Sequence, residues 1–296
     1  MLKRFSNTSA EKSRIITLIY EIRKDHSTMG VRDLYFKLNP QSMGRDAFER
    51  LCREQDLMSQ RTPNQRRTTD SSGVIRFENL IQGLTLTRQD QVWQSDITYY
   101  EVKGKFYYLT FIVDAFSRRI LGHSVSKRLF TEDTTLPALQ QAIKTRGTKD
   151  LTGTIFHSDG GGQYYDTEFL KLTATHKLLN SMCEFAWENG KAERINGVIK
   201  NNYLRHKTIT DYEGLQKEVD RCVSLYNTSK PHIALQRRSP ITFEKETIHL
   251  PQQTKSMMIK SLYAKHQILG ASSPKKSEQT KPQNPNVLPQ SIYEAG

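Results

Sequence analysis

Cysteine is scarce in this 296-residue chain: Cys52, Cys183 and Cys222 stand far apart. They form no CxxC pair and no even set, so neither a cysteine zinc site nor a disulfide framework is expected. Long apolar runs are missing too, with nothing approaching the roughly 18 consecutive apolar residues that span a bilayer. The opening Met-Leu-Lys-Arg-Phe-Ser-Asn has no apolar signal core. A cytoplasmic protein is therefore the expectation. Tryptophan is limited to Trp93 and Trp187. Acidic side chains are outnumbered, 31 against 44 Lys and Arg, for a net charge of +13. A surplus of that size favours a polyanionic partner, and nucleic acid before others.

The surplus is uneven. Residues 1–76 carry 15 basic and 9 acidic side chains, residues 77–246 carry 23 and 20, and residues 247–296 carry 6 and 2. Basic ends around a nearly balanced middle suit DNA-gripping termini attached to a centre that keeps its acids. Hydrophobic residues make up 36% of the chain, which suffices for a sizeable core. A soft prior of roughly 150 residues per domain suggests two folded units.

Residues 11–25 place Ile15, Ile16, Leu18, Ile19 and Ile22 on one apolar helical face, and Val31–Leu38 reads as a second short helix. A third, about Arg45–Glu54, buries Phe48 and Leu51 and exposes Arg45, Arg50 and Arg53. Three short helices with tight turns and a basic last helix suggest a helix-turn-helix DNA-binding unit, with a plain helical bundle as the competing reading. Arg61–Asp70 is polar and without periodicity. It reads as a linker whose Arg66 and Arg67 can lie along phosphates. From Gln91 the texture changes to β-formers. Strands are predicted around Asp96, over Phe106–Asp114 and over Arg118–Ser126, the first two joined by a hairpin at Val102-Lys-Gly-Lys. A helix with capping chemistry at Thr131, a strand ending at His157, a helix near Asp166–Thr175 and a strand near Leu178–Met182 follow. Three antiparallel strands and then alternating helices and strands give an α/β class: a mixed five-stranded sheet with helices on its faces. Asp211–Tyr226 reads as a further helix, with Leu215, Val219, Cys222, Val223 and Tyr226 inward. Ser229-Lys-Pro-His ends it, and the tail from about Ser272 has a disordered composition.

The stretch His157–Lys200 organises the rest. An apolar run delivers Asp159 to a strand end, where Gly160, Gly161 and Gly162 allow a tight turn or a close approach. A helix starting after Asn189-Gly190 carries Glu193, with Lys200 seven residues on and on the same face. Bare carboxylates repel, so their convergence needs a reason, and a hard divalent cation with oxygen ligands supplies one. On spacing alone an amphipathic helix with a solvated charged face explains Glu193 and Lys200 as well.

The motifs decide it. Gln91-Val-Trp-Gln-Ser-Asp96-Ile-Thr-Tyr, His157-Ser-Asp159-Gly-Gly-Gly-Gln-Tyr and Glu188-Asn-Gly-Lys-Ala-Glu193 resemble the three acidic motifs of DDE transposases with a retroviral-integrase-type core. Phe111-Ile-Val-Asp-Ala-Phe-Ser-Arg-Arg-Ile-Leu-Gly resembles the second-frame (OrfB) transposases of insertion sequence family three. So do Tyr226-Asn227 with Lys-Pro231-His232-Ile-Ala-Leu235, and Ser239-Pro240-Ile-Thr-Phe243. Met29-Gly30-Val-Arg-Asp-Leu-Tyr with Gly44-Arg45-Asp46 resembles that group's helix-turn-helix. The likeness covers roughly residues 12–246, and several ordered motifs make it more specific than any one.

The resemblance implies an RNase H-like core over residues 89–246, after a helix-turn-helix unit (1–60) and a basic linker (61–88), with a basic tail (247–296). It implies DNA strand cleavage and strand transfer at the ends of an insertion sequence. It also implies two Mg²⁺ ions, replaceable by Mn²⁺, held by Asp96, Asp159 and Glu193, with Lys200 against the terminal DNA. Arg194, beside Glu193, joins Arg45, Arg50, Arg53, Arg66 and Arg67 as a DNA-contact candidate. Implied partners are the terminal inverted repeats, target DNA, further copies of the chain on DNA, and a first-frame OrfA product or fusion; the implied setting is the bacterial nucleoid. Two departures stand out. Asp159 and Glu193 have 33 residues between them, two fewer than is usual in the family, and glycine occupies position 160 where arginine is common. Asp114 is read as structural, His157 and Trp93 as core residues, and Trp187 as open to base stacking. Tyr226, Asn227 and His232 serve helix packing at least as readily as DNA contact. The alternative function is an inactive DNA-binding remnant or repressor; a ribonuclease of the same fold is disfavoured by the N-terminal helices.

Overall fold

The computed structural model describes residues 2–59, 77–147, 150–183 and 186–247, with side chains left out at 2–8 and 186–187. The linker with Arg66 and Arg67 and the tail fall outside the described residues.

Three helices come first: α1 (Leu2–Asp25), α2 (Val31–Leu38) and α3 (Arg45–Glu54). They bury a core of their own, with Ile15, Ile19, Leu34, Phe48 and Leu51 at its centre. Helix α1 begins well before residue 11, because no glycine or proline interrupts the polar turns ahead of its apolar stripe. Leu18, expected inward, lies at the margin of that stripe and is 38% exposed. Gly30 and Gly44 cap α2 and α3 with extended backbone, and Asn39 closes α2 in the left-handed region that asparagine tolerates.

The sheet follows as β1 (Val92–Val102), β2 (Lys105–Asp114), β3 (Ile120–Ser126), β4 (Ile155–Ser158) and β5 (Leu179–Met182), in spatial order β3-β2-β1-β4-β5. Strands β1, β2 and β3 are antiparallel, while β4 and β5 run parallel to β1. This is the mixed five-stranded sheet expected. The β1–β2 hairpin turns on Lys103 and Gly104, both at positive φ, as a two-residue turn matching the strand twist requires.

Helices α4 (Thr135–Arg146) and α5 (Thr167–Thr175) cover one face over Trp93, Ile112, Phe156 and Phe169. Helices α6 (Gly190–Val198) and α7 (Tyr212–Thr228) cover the other over Leu109, Phe111 and Val113. The predicted inward residues of α7 are all buried, and Asp211 caps its start by accepting from the Gly214 N–H. At Thr131 the expected helix start is a short 3₁₀ turn, and α4 begins four residues later. A last helix, α8 (Pro240–Thr247), packs Phe243 on Phe116.

The N-terminal unit touches the core at few points. His26 Nδ1 and Nε2 lie 3.1 Å from the Tyr203 hydroxyl and 2.6 Å from Ser229 Oγ, and Lys37 donates to the Ser229 carbonyl. Ion pairs Arg221–Asp25 and Arg237–Asp33 flank them. Among the described residues no helix is long and apolar enough to cross a membrane.

Candidate active site

Consecutive parts of β1 are each met by a group from the segment Glu188–Lys200. The Gln94 amide donates to the Glu188 carbonyl at 3.2 Å, and Asn189 Nδ2 donates to the Ser95 carbonyl at 2.7 Å. Asn196 Nδ2 donates to Asp96 Oδ2 at 2.8 Å, and Lys200 Nζ donates to Thr98 Oγ1 at 2.6 Å. The rungs advance together along both stretches, so α6 is held along β1 in fixed register. Glu193, one helical turn before Asn196, is thereby brought near Asp96.

Asp159 arrives from the other side. Strand β4 pairs His157 with Gln94 in parallel register, and two more residues along each chain bring Asp159 level with Asp96. Its Oδ1 accepts the Gly161 N–H at 3.1 Å, which fixes the carboxylate at the strand end. Gly160 and Gly161 act here by close approach and not by left-handed backbone, while Gly162 faces open space: Gly161 has φ −64°, and a Cβ on it would stand 3.1 Å from Asp159 Oδ1. A Cβ at Gly160 would meet Met182 Cε at 2.7 Å, so the larger residue common in the family needs Met182 to move.

The three acids share one electrostatic field. Burial pushes Asp96 up to about 7, and the charges of Asp159 and Glu193 push the same way against the Asn196 hydrogen bond. Burial also raises Asp159, opposed by its backbone hydrogen bonds. Lys200 is lowered by burial, with Asp96 holding it back. Among the described residues, no three His, Cys, Asp or Glu side chains are already drawn together tightly enough to clasp an ion. The donor set nonetheless fits a hard divalent cation. It is all oxygen, its charges raise each other's cost, and two buried carbonyl oxygens beside it, Asn196 Oδ1 and Asn189 Oδ1, have no hydrogen-bond partner.

The predicted cations divide. Lys200 joins the acids, but on a π-helical turn, Ile199–Tyr203, that follows α6, so the plain α-helical offset from Glu193 does not hold. Arg194 is exposed next to Glu193. Arg45, Arg50 and Arg53 are exposed on α3, away from the acids, and Arg45 is partly engaged by Asp46 at 2.9 Å.

Asp114 is structural: fully buried, it accepts the N–H groups of Asp90, Phe116 and Ser117 and pairs with Arg146. Arg146 also binds Asp90 and Glu244, tying β2, α4 and α8 together. His157 is a buried core residue on Ser181, held neutral by burial with its pKa lowered to about 4. Trp93 is buried, its indole N–H donating to Asp90. The Trp187 side chain lies outside the description. Asn227 bonds both the N–H and the C=O of Ile120, and Tyr226 packs edge-on to His232 at 4.7 Å, so this motif serves packing. Sequence reasoning missed Asn196, although its spacing of three from Glu193 on one helix was a readable signal. It also missed Thr98, Asn189, Gln94 and the Arg146 cluster.

Two integrase core domain models match the chain, over residues 87–186 and 180–240. The putative transposase for insertion sequence element IS986/IS6110 of Mycobacterium tuberculosis (strain H37Ra) is 30% identical over 213 residues, covering 69% of this chain and 76% of the relative. Transposase InsF for insertion sequence IS3A of Escherichia coli K12 is 28% identical, covering 60% and 62%. The trimeric HTLV-2 integrase catalytic core domain, solved in complex with magnesium, is 23% identical with a TM-score of 0.41, covering 52% of this chain and 95% of that one. The chain belongs to the DDE transposases of insertion sequence family three, which carry an integrase-type core.

Proposed function

We propose that this transposase cleaves and joins DNA strands at the ends of its insertion sequence through Asp96, Asp159 and Glu193. The observation carrying the reading is the rung register along β1, which brings a helix-borne acid to a strand-borne one while a third enters from β4. Those three carboxylates would hold Mg²⁺, two ions in the full form of the reading, with Mn²⁺ as a substitute. Such ions supply activation of a water or a DNA 3′-hydroxyl and stabilisation of the leaving oxygen. Asn196 orients Asp96 by binding Oδ2, and the Ile97 N–H holds the same carboxylate. The Asp159 turn keeps that carboxylate from swinging away. Lys200, anchored on Thr98, presents a cation to a phosphate beside the acids.

The exposed arginines Arg45, Arg50 and Arg53 of α3, with Arg66, Arg67 and Arg194, are proposed to grip DNA phosphates. We assign residues 1–60 to end recognition, 61–88 to a linker, 89–246 to catalysis and 247–296 to a basic tail. Work on two ends at once calls for several copies on DNA, and an OrfA product or fusion is the proposed first-frame partner. A cytoplasmic, nucleoid-associated setting goes with that reading. The test incubates the purified chain with labelled element-end DNA in Mg²⁺ or EDTA, beside Glu193→Gln. Nicking that needs the metal and vanishes in the variant is the expected result; nicking that persists in Glu193→Gln refutes the assignment. Tight binding without nicking, unchanged after first-frame partner is added, would favour an inactive remnant.

A further inference from the structure

Strand β1 is paired unequally on its two sides. Its full length pairs with β2, but β4 reaches only Val92, Trp93 and Gln94. Among the described residues no strand pairs the second edge beyond Gln94; Asn189 Nδ2 takes the buried Ser95 carbonyl, and past Asp96 the strand carries the exposed Tyr99. Alternation puts Thr98 on the same face as Asp96 and Tyr99 on the opposite one. Lys200 spans the strand-free edge between them: its Nζ bonds Thr98 Oγ1, reaches the Tyr99 carbonyl at 3.5 Å and lies 5.5 Å from the Tyr99 ring centroid.

Tyr99 is 56% exposed and packs edge-to-face on Phe106, itself 54% exposed, with ring centroids 5.5 Å apart. The adjoining hairpin carries Lys103 and Lys105, both exposed. Two large rings held half in water, rimmed by lysines and open to one side, suit a ligand with flat apolar faces on an anionic backbone. An apolar protein surface would instead have to desolvate the lysines. Single-stranded nucleic acid combines both features, since every base offers a face to an aromatic ring and every phosphate a charge to a lysine.

We propose that Tyr99, backed by Phe106, is a stacking platform for an unpaired base of the DNA end, whose backbone passes over Lys200 toward Asp96. This rests on the proposed catalytic role of Asp96, Asp159 and Glu193. Tyr99 is then a positioning residue that selects frayed or extended ends over fully paired ones.

Binding of the full chain is measured in EDTA by fluorescence anisotropy. The probes are a blunt element end, the same end with a short single-stranded extension, and that extension made abasic; 2-aminopurine in the extension reports stacking by quenching. The expected preference for the base-bearing extension over the abasic one is about tenfold, the scale of one aromatic–base stack. Tyr99→Phe and Tyr99→Trp should keep preference and quenching. Tyr99→Leu, which keeps bulk without a ring, should lose both while unfolding at the temperature of the unmodified chain, and Phe106→Leu should weaken both. Equal binding of base-bearing and abasic ends by the unmodified chain, or full preference in Tyr99→Leu, overturns the platform. If either leucine variant misfolds, the abasic comparison on the unmodified chain still decides. Mg²⁺-dependent cleavage without the preference would sink the platform alone, and preference without cleavage, unchanged after first-frame partner is added, would sink only the catalytic reading.

Discussion

Replacing Asp96 by asparagine should abolish DNA cleavage and yet stabilise the metal-free protein. The Asp96 carboxyl rises from 3.8 to about 7 because it is buried and faces Asp159 and Glu193. A raised acid binds its proton more tightly in the folded state than in the unfolded one. Its contribution to stability is therefore full below about pH 4 and is lost as pH climbs through about 7. At about 1.36 kcal/mol per pH unit, a rise of about three units sets a ceiling near 4 kcal/mol. Relaxation and water entry reduce that, and about 2 kcal/mol is expected at pH 8. Asparagine carries no charge to bury, and its side-chain oxygen can still accept from Asn196 Nδ2. The unfolding free energy of Asp96→Asn should exceed that of the unmodified chain at pH 8, with the gap shrinking steadily toward pH 5. Chemical denaturation in EDTA, followed by tryptophan fluorescence across that range, measures it. A gap that ignores pH, or a variant less stable at pH 8, would refute the account of a strained acidic cluster.

Other perturbations reach other parts of the molecule. Asn227→Ala leaves the Ile120 N–H and C=O without their partner and should cost about 2–4 kcal/mol by the same denaturation assay; a loss below about 1 kcal/mol would mean that water replaces the side chain. Arg146→Met removes the cation shared by the buried acids Asp90, Asp114 and Glu244, of which Glu244 keeps Arg119, and should cost about 3–5 kcal/mol, the scale for breaking a buried pair from one side. Adding Glu244→Gln to it should recover part of that loss, and no recovery would count against the network. His26, His157 and His232 are all lowered by burial, to about 4, 4 and 3, so their stabilising contribution is full above about 6.5 and is lost as pH falls toward those values. Between pH 6.5 and 4 each of these histidines should take up a proton on unfolding, against the release from Asp96 and Asp114, and thermal melts of His157→Gln should lack the His157 share of that uptake relative to the unmodified chain.

Much of this protein was legible before its structure. Helix bounds Val31–Leu38 and Arg45–Glu54, the inward face of α7 and the sheet composition follow from periodicity, because apolar spacing dictates which face an element must bury. The core readings of Trp93 and His157 followed from their place in strands, and the structural reading of Asp114 from its having no ligand role in the family the motifs resemble. The left-handed hairpin at Lys103-Gly104 was equally local. What local pattern could not supply lay in long-range contacts. No spacing rule announces that Arg146 would collect Asp90, Asp114 and Glu244 across three elements. Nor does any rule predict that the helix carrying Glu193 would turn π before Lys200, or that β4 would pair so little of β1 that Tyr99 and Phe106 stay in water. The residue types that bear acid, cation and ring were fixed by the chain alone. Their mutual distances were decided only when hydrogen bonds between residues about a hundred positions apart set α6 against β1.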